Sequence, residues 1–243
     1  AVYEQYPHIG PVLPAEGYAS AQLEALRQTI DATEADVVVA ATPLDPYSAS
    51  KLAGEQLVRR AHEPGRLVTT VIRPGVIWGA GDQKIVPRLV ELLRQGRLPL
   101  VEGGENRIAL THVANLVEGL RLAAVMPAAA GKVYHLLDDE ELTAREALEA
   151  IAGTFGVPPP RRSLPYWAVY GAAAALEGGA RLLGRRSPPP MTRYGVRLVS
   201  CDCRYDRTKA SQELGYRPPV SFRQGLEELA AAPRPAAALR GGK

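Results

Sequence analysis

Tyr47 and Lys51, four residues apart, are the part of this 243-residue chain whose types and spacing could do chemistry. They sit in Asp45-Pro46-Tyr47-Ser48-Ala49-Ser50-Lys51, followed by Leu-Ala-Gly-Glu-Gln-Leu-Val. On a helix, a spacing of four stacks phenol and ammonium on one face. A tyrosine alone has a pKa of ~10 and is a poor base at neutral pH. A cation one turn away favours the phenolate and pulls that pKa down. A phenol tuned this way can take a proton from a secondary alcohol, or return one to a ketone, while hydride moves to or from a nicotinamide. The spacing is weak on its own. With 10 Tyr and 5 Lys in the chain, chance supplies roughly 0.2 such pairs, and Tyr205 and Lys209 repeat the pattern.

The surroundings separate the two copies. Asp45 is a good N-cap and Pro46 suits the first helical position, so a helix is expected to about His62. Gly54 and Val58 continue the Tyr47–Lys51 face, and a glycine there suggests close approach by another backbone. A strand over Leu67–Arg73 follows and runs into Pro74-Gly75. Lys84–Gln95 reads as an amphipathic helix with Ile85, Leu89, Leu92 and Leu93 inward and Gly96 as its stop. A strand is expected over Lys132–Leu137. Thr143 and Glu146 form a capping box that opens a helix to about Phe155. An alanine-rich run ends near Leu183; Glu177, Gly178, Gly179 and Arg181 interrupt it, which fits a lid or membrane-surface helix better than a span. Ser221 and Gln224 cap a last helix to about Ala232. Before the tyrosine, residues 4–20 read as loop, 21–31 as helix and 36–41 as strand. Thr42 reads as a loop residue, and the stretch from Pro233 as a disordered tail.

Taken together, D-P-Y-S-A-S-K-L-A-G-E and V-I-R-P-G-V-I-W-G-A-G-D resemble the extended short-chain dehydrogenase/reductases of the NAD-dependent epimerase/dehydratase superfamily. The chain is most similar to the 3β-hydroxysteroid dehydrogenase/isomerase-like branch. Tyr205-Asp-Arg-Thr-Lys209, ending at Leu-Gly-Tyr216-Arg-Pro, matches that family's closing signature, in which an aromatic-Asp strand pairs and a short helix follows. The second Tyr-x-x-x-Lys is therefore read as architecture. The resemblance implies an α/β fold: the C-terminal part of a Rossmann-like doubly wound parallel sheet plus a smaller α+β substrate domain. Residues 1–76 would be the remnant of the Rossmann-like domain. Residues 77–232 would be mainly the substrate domain, with 107–137 returning to the sheet, and 233–243 a tail.

The resemblance also implies roles. Tyr47 is the proton donor and acceptor, and Lys51 tunes it and holds the nicotinamide ribose. The backbone of Pro74, Gly75 and Val76 lies against the nicotinamide. The cofactor is NAD or NADP, and the substrate a bulky apolar alcohol or ketone. A sugar-nucleotide epimerase or dehydratase is the alternative; Arg107 stands one residue too far before His112 for a phosphate-gripping arginine, which would turn it to the other face of a strand. His112 is expected to serve as a structural hydrogen-bonding group, and Asn115 stands where the family has an acid. A homodimer and peripheral membrane contact remain open under this reading.

No G-x-x-G-x-x-G or G-x-G-x-x-G occurs in the chain. Gly75, Gly79 and Gly81 imitate the fingerprint with the wrong spacing. The glycine-rich turn and the family's catalytic hydroxyl would then precede Ala1, and the chain is read as a fragment. A non-catalytic remnant is the third reading, since the pyrophosphate has no helix N-terminus to sit on. A net charge of +3 does not argue for nucleic acid, and no basic run carries interleaved aromatics. Cys201 and Cys203 are too few for a zinc site. They are read as reduced and structural on a strand-like stretch, consistent with a cytoplasmic chain without a signal peptide.

Overall fold

The structure is a computed structural model that describes residues 46–184 and 191–232, with backbone alone for 46–49, 194 and 198. The expectations for residues 4–45 and for the tail lie outside the described residues.

Helix α1 spans Pro46–Ala61. Proline opens it, where a missing N–H costs nothing, and Arg59 and Arg60 complement the dipole of its last turn. Strands β1 (Val71–Pro74) and β2 (Val76–Trp78) form one extended run broken at Gly75. Helix α2 (Ile85–Arg94), strand β3 (Leu100–Val101) and strand β4 (Leu110–His112) follow, and β4 leads directly into α3 (Val113–Val125). Strand β5 (Val133–Leu136), α4 (Ala144–Phe155), β6 (Ser163–Leu164) and α5 (Tyr166–Leu182) come next. The described chain closes with α6 (Arg193–Ser200), α7 (Thr208–Leu214) and α8 (Phe222–Ala231).

All the strand pairs are parallel among the described residues. β1 pairs with β5, Val71 opposite Val133 and Arg73 opposite His135. β2 pairs with β4, Val76 opposite Leu110. β3 pairs with β6. Parallel neighbours need a crossover; α2 lies on the path from β2 to β4, and α3 on the path from β4 to β5. The architecture is α/β, as expected.

Apolar cores flank this arrangement. Trp78, Val86, Val90, Leu93, Ile151 and Leu226 pack under α2, α4 and α8. Tyr134, Leu136, Ala210, Leu214 and Tyr216 join β5 to α7. Thr143 and Glu146 form the expected capping box of α4, and Ser221 and Gln224 that of α8. Among the described residues no helix is long and apolar enough to cross a membrane.

Several expectations need correction. The strand begins at Val71, not Leu67, because residues 67–69 are bonded elsewhere: the Leu67 N–H donates to the Glu63 carbonyl just after α1, and the Thr69 hydroxyl to the Val58 carbonyl within it. In α2 the buried stripe is Val86, Val90 and Leu93, with Leu89 packed against it, and Ile85 is exposed. Among the described residues nothing lies within 4 Å of where a Cβ on Gly54 would stand, so no described backbone approaches it. The Cys201–Tyr205 stretch is not a strand, and residues 193–200 before it are helical.

Candidate active site

Helix α1 and strand β1 run in opposite directions, and a few contacts fix this. His62 Nδ1 accepts from the Thr69 N–H at 3.2 Å. Farther along, Arg73 donates twice to Glu55, from Nε to Oε2 at 3.1 Å and from Nη2 to Oε1 at 2.6 Å. Residue numbers fall along the helix as they rise along the strand. At 1.5 Å per residue, Lys51 lies about 6 Å and Tyr47 about 12 Å farther along the axis than Glu55. Strand β1 ends at Pro74. The first turn of α1 therefore stands past the carboxyl end of β1, and that end of an open α/β sheet is where ligands bind. Lys51 is exposed there.

The Glu55–Arg73 pair is nearly dry: the side chains are 6% and 10% exposed. Burial alone would raise the Glu55 carboxyl, but the hydrogen bonds and charge of Arg73, helped by Arg59, outweigh it and hold the carboxyl below its usual value. On the other side of Arg73 stands His135. Burial first, then the charges of Arg73 and Lys209, push its pKa down to about 3, so it is neutral at ordinary pH.

Pro74, Gly75 and Val76 are half-buried and come together with β4. A Cβ on Gly75 would meet the Ala109 carbonyl oxygen at 2.5 Å, so only glycine fits. Gly75 N–H donates to Thr111 Oγ1 at 2.8 Å, and that hydroxyl donates to the Leu136 carbonyl at 2.7 Å. Val76 N–H donates to the Ala109 carbonyl at 2.9 Å. Proline has no N–H. This stretch thus spends its donors inside the protein, and what it can offer a flat ring is packing and carbonyl acceptors.

Next to it lies a buried polar knot. Asp138 accepts from the His112 N–H (2.7 Å), Asn115 Nδ2 (2.6 Å) and Trp78 Nε1 (2.9 Å). Asn115 also bonds the Val220 backbone in both directions. His112 Nδ1 caps α3 on the Ala114 N–H, and its ring packs edge-on to Trp78. These are structural roles, as expected for His112 and Asn115. Arg107 pairs with Glu141. Cys201 and Cys203 are buried free thiols, and burial pushes Cys201 up to about 11, so it is inert. Among the described residues no cluster of three or more His, Cys, Asp or Glu could hold a metal.

Of the residues singled out by sequence, Tyr47 and Lys51 share α1, and Pro74, Gly75 and Val76 share the β1–β2 junction. A groove of about 350 Å³ opens where β5 ends, lined by Leu137, Asp139, Tyr205, Arg207, Tyr216 and others, but not by Lys51 or residues 74–76. Glu55, Arg73, Thr111 and His135 were not singled out. Glu55 carried a signal, since it continues the row Tyr47–Lys51 at the same spacing of four; its partner, 18 residues on, did not.

The chain matches the NAD dependent epimerase/dehydratase family over residues 17–136. It is 37% identical over 191 residues to a 2-alkyl-3-oxoalkanoate reductase of Stenotrophomonas maltophilia, covering 77% of this chain and 58% of that protein. It is 32% identical over 203 residues to a mouse sterol-4-alpha-carboxylate 3-dehydrogenase, decarboxylating, covering 79% and 55%. The chain thus spans little more than half the length of these relatives. Among solved structures it resembles gox2253 (25% identity, TM-score 0.56, 77% of this chain and 57% of that one). It shares the fold of a Bacillus cereus UDP-glucuronic acid 4-epimerase in complex with NAD (19%, TM-score 0.55, 79% and 53%).

Proposed function

The chain belongs to the NAD dependent epimerase/dehydratase family, and on that premise we propose that it forms the catalytic and substrate-binding part of an NAD(P)-dependent oxidoreductase. The reaction is exchange of hydride at a secondary alcohol or ketone of a bulky, largely apolar substrate, as in the 3β-hydroxysteroid dehydrogenase-like branch. The observation that carries this is the run of α1 against β1, which leaves the first turn of α1 beyond the carboxyl end of the strand.

Tyr47 gives its phenolic proton to the carbonyl oxygen during reduction and takes it from the hydroxyl during oxidation. Lys51, one helical turn away, favours the phenolate and binds the ribose hydroxyls of the cofactor. Pro74, Gly75 and Val76 fit a nicotinamide as a packing floor, since their donors are already used. The bound nicotinamide supplies the hydride chemistry; the chain supplies the proton, the floor and the orientation.

Two relatives' names sharpen the substrate class. A 2-alkyl-3-oxoalkanoate and a sterol-4-carboxylate acted on at position 3 both carry an acid group on the carbon next to the one oxidised or reduced. A 3-oxo or 3-hydroxy acid with a bulky hydrocarbon body is the substrate this reading favours. A sugar nucleotide fits less well, because Arg107 is already engaged by Glu141.

In the complete protein, Tyr47→Phe should lower turnover by about 10²–10⁴ while cofactor affinity stays within about threefold. Steady-state kinetics with a 2-alkyl-3-oxo acid, alongside cofactor titration, measures both. Turnover near that of the parent would overturn the assignment.

A further inference from the structure

Arg73 is held by Glu55 and flanked by His135. Glu55 of α1 takes both of its hydrogen bonds described above, and His135 stands opposite it in the β1–β5 register. Tyr205 lies over the His135 ring, centroid to centroid 5.2 Å. The tyrosine of the second Tyr-x-x-x-Lys thus backs the arginine that holds the helix of the first.

We propose that the buried Glu55–Arg73 pair is a positioning device: it sets how far α1 extends past β1, and so where Lys51 and Tyr47 stand relative to Pro74 and Gly75. This rests on the assignment of Tyr47 and Lys51 as the proton relay.

Among the described residues, apolar packing does little to fix that distance. From Lys51 to Ala61, Glu55 is the one buried residue of α1, with Leu52 and Arg59 half-buried and the rest exposed. A helix lying on a strand with so little interdigitation has no ridge to lock its axial position. A guanidinium fork bonded to both oxygens of one carboxylate fixes distance and direction together. The other anchors, at Val58 and His62, are at the far end of the helix. Glu55 lies nearer the reactive turn than either of these. The charged surroundings keep the pair intact: Arg59 stands 3.9 Å from Glu55, and His135, flanked by Lys209 and Asp206, stays neutral and does not compete for the carboxylate.

The test uses the complete active protein. Glu55→Gln keeps the shape and removes the charge; Glu55→Met with Arg73→Met fills the space without an ionic fork. In both, kcat should fall by at least about tenfold, since small displacements of reacting groups are costly. The KM for the nicotinamide cofactor should rise by at least about threefold, because Lys51 moves relative to Pro74 and Gly75 while keeping its distance from Tyr47 on the same helix. KM does not depend on how much protein is folded, so loss of stability cannot imitate the effect. A cofactor KM within about twofold of the parent's in either variant overturns the positioning role. Tyr47→Phe run in parallel separates the two ideas. If it keeps turnover, the relay assignment fails; if it is inactive while the Glu55 variants keep their cofactor KM, only the positioning role fails.

Discussion

The molecule carries the same tyrosine–lysine spacing twice, and the two copies are built differently. Tyr47 and Lys51 lie within one continuous helix. Tyr205 precedes α7, which starts at Thr208, so Tyr205 and Lys209 do not share a helix. Tyr205 stacks on His135, and the Lys209 ammonium sits 5.3 Å from the Tyr134 ring centroid. Both side chains of the second copy face β5 and serve packing. The first copy begins a helix whose anchored middle lies on β1 and whose start overhangs it. Under the proposed function, a phenol and an ammonium at spacing four can handle a proton together only where a single helix carries both.

Mutation should widen this contrast. The largest expected effect is the difference between the two tyrosines: Tyr47→Phe costs about 10²–10⁴ in turnover, whereas Tyr205→Phe, which keeps its stacking ring, stays within about threefold. Kinetics on both variants of the complete protein decide this, and equal losses would erase the distinction.

A smaller effect concerns His135, the ring beneath Tyr205. Its folded pKa of about 3 lies below the 6.5 of a free histidine. The unfolded chain therefore binds a proton first as pH falls, and stability drops through the window from 6.5 towards 3. Between pH 7 and pH 5 the loss should be about 2 kcal/mol. Urea unfolding at both pH values measures it, and His135→Asn should flatten that slope. A parent protein as stable at pH 5 as at pH 7 would contradict the burial assigned here. Glu55, whose folded pKa is lowered, adds a separate loss only below about pH 4.5.

The smallest effect is that of Lys209→Met. It removes a half-buried cation–π contact worth about 0.5–1 kcal/mol and should leave the cofactor KM where it was. Any movement of that KM would tie the second copy to the chemistry after all.

Much of this was legible in the chain because it depends on neighbours in sequence. The proline opening α1, the boxes at Thr143 and Ser221, and Gly96 after α2 are local devices, and the structure has them. The apolar face of α2 was not. The doublets Ile85-Val86, Leu89-Val90 and Leu92-Leu93 offer two stripes of equal quality, and only the core behind Val86 and Val90 chooses between them. Helix α6 was not among the elements expected from sequence; Thr192 caps it on the Gly195 N–H. The candidate site was half legible: types and spacing showed Tyr47 and Lys51, but Glu55 gains meaning only from Arg73, and His135 only from both strands. Gly75 was read as a floor for a ring, and the structure adds that the Ala109 carbonyl already demands a glycine there.

That glycine has a mechanical consequence. One backbone segment feeds both β1 and β2, and the Thr111 hydroxyl ties it to the end of β5. Any rocking of one strand pair against the other must swivel about this knot, and displacement in a lever is least at its fulcrum. A molecule bound against residues 74–76 would rest near that pivot, and adaptation to bodies of different size would fall to parts farther out.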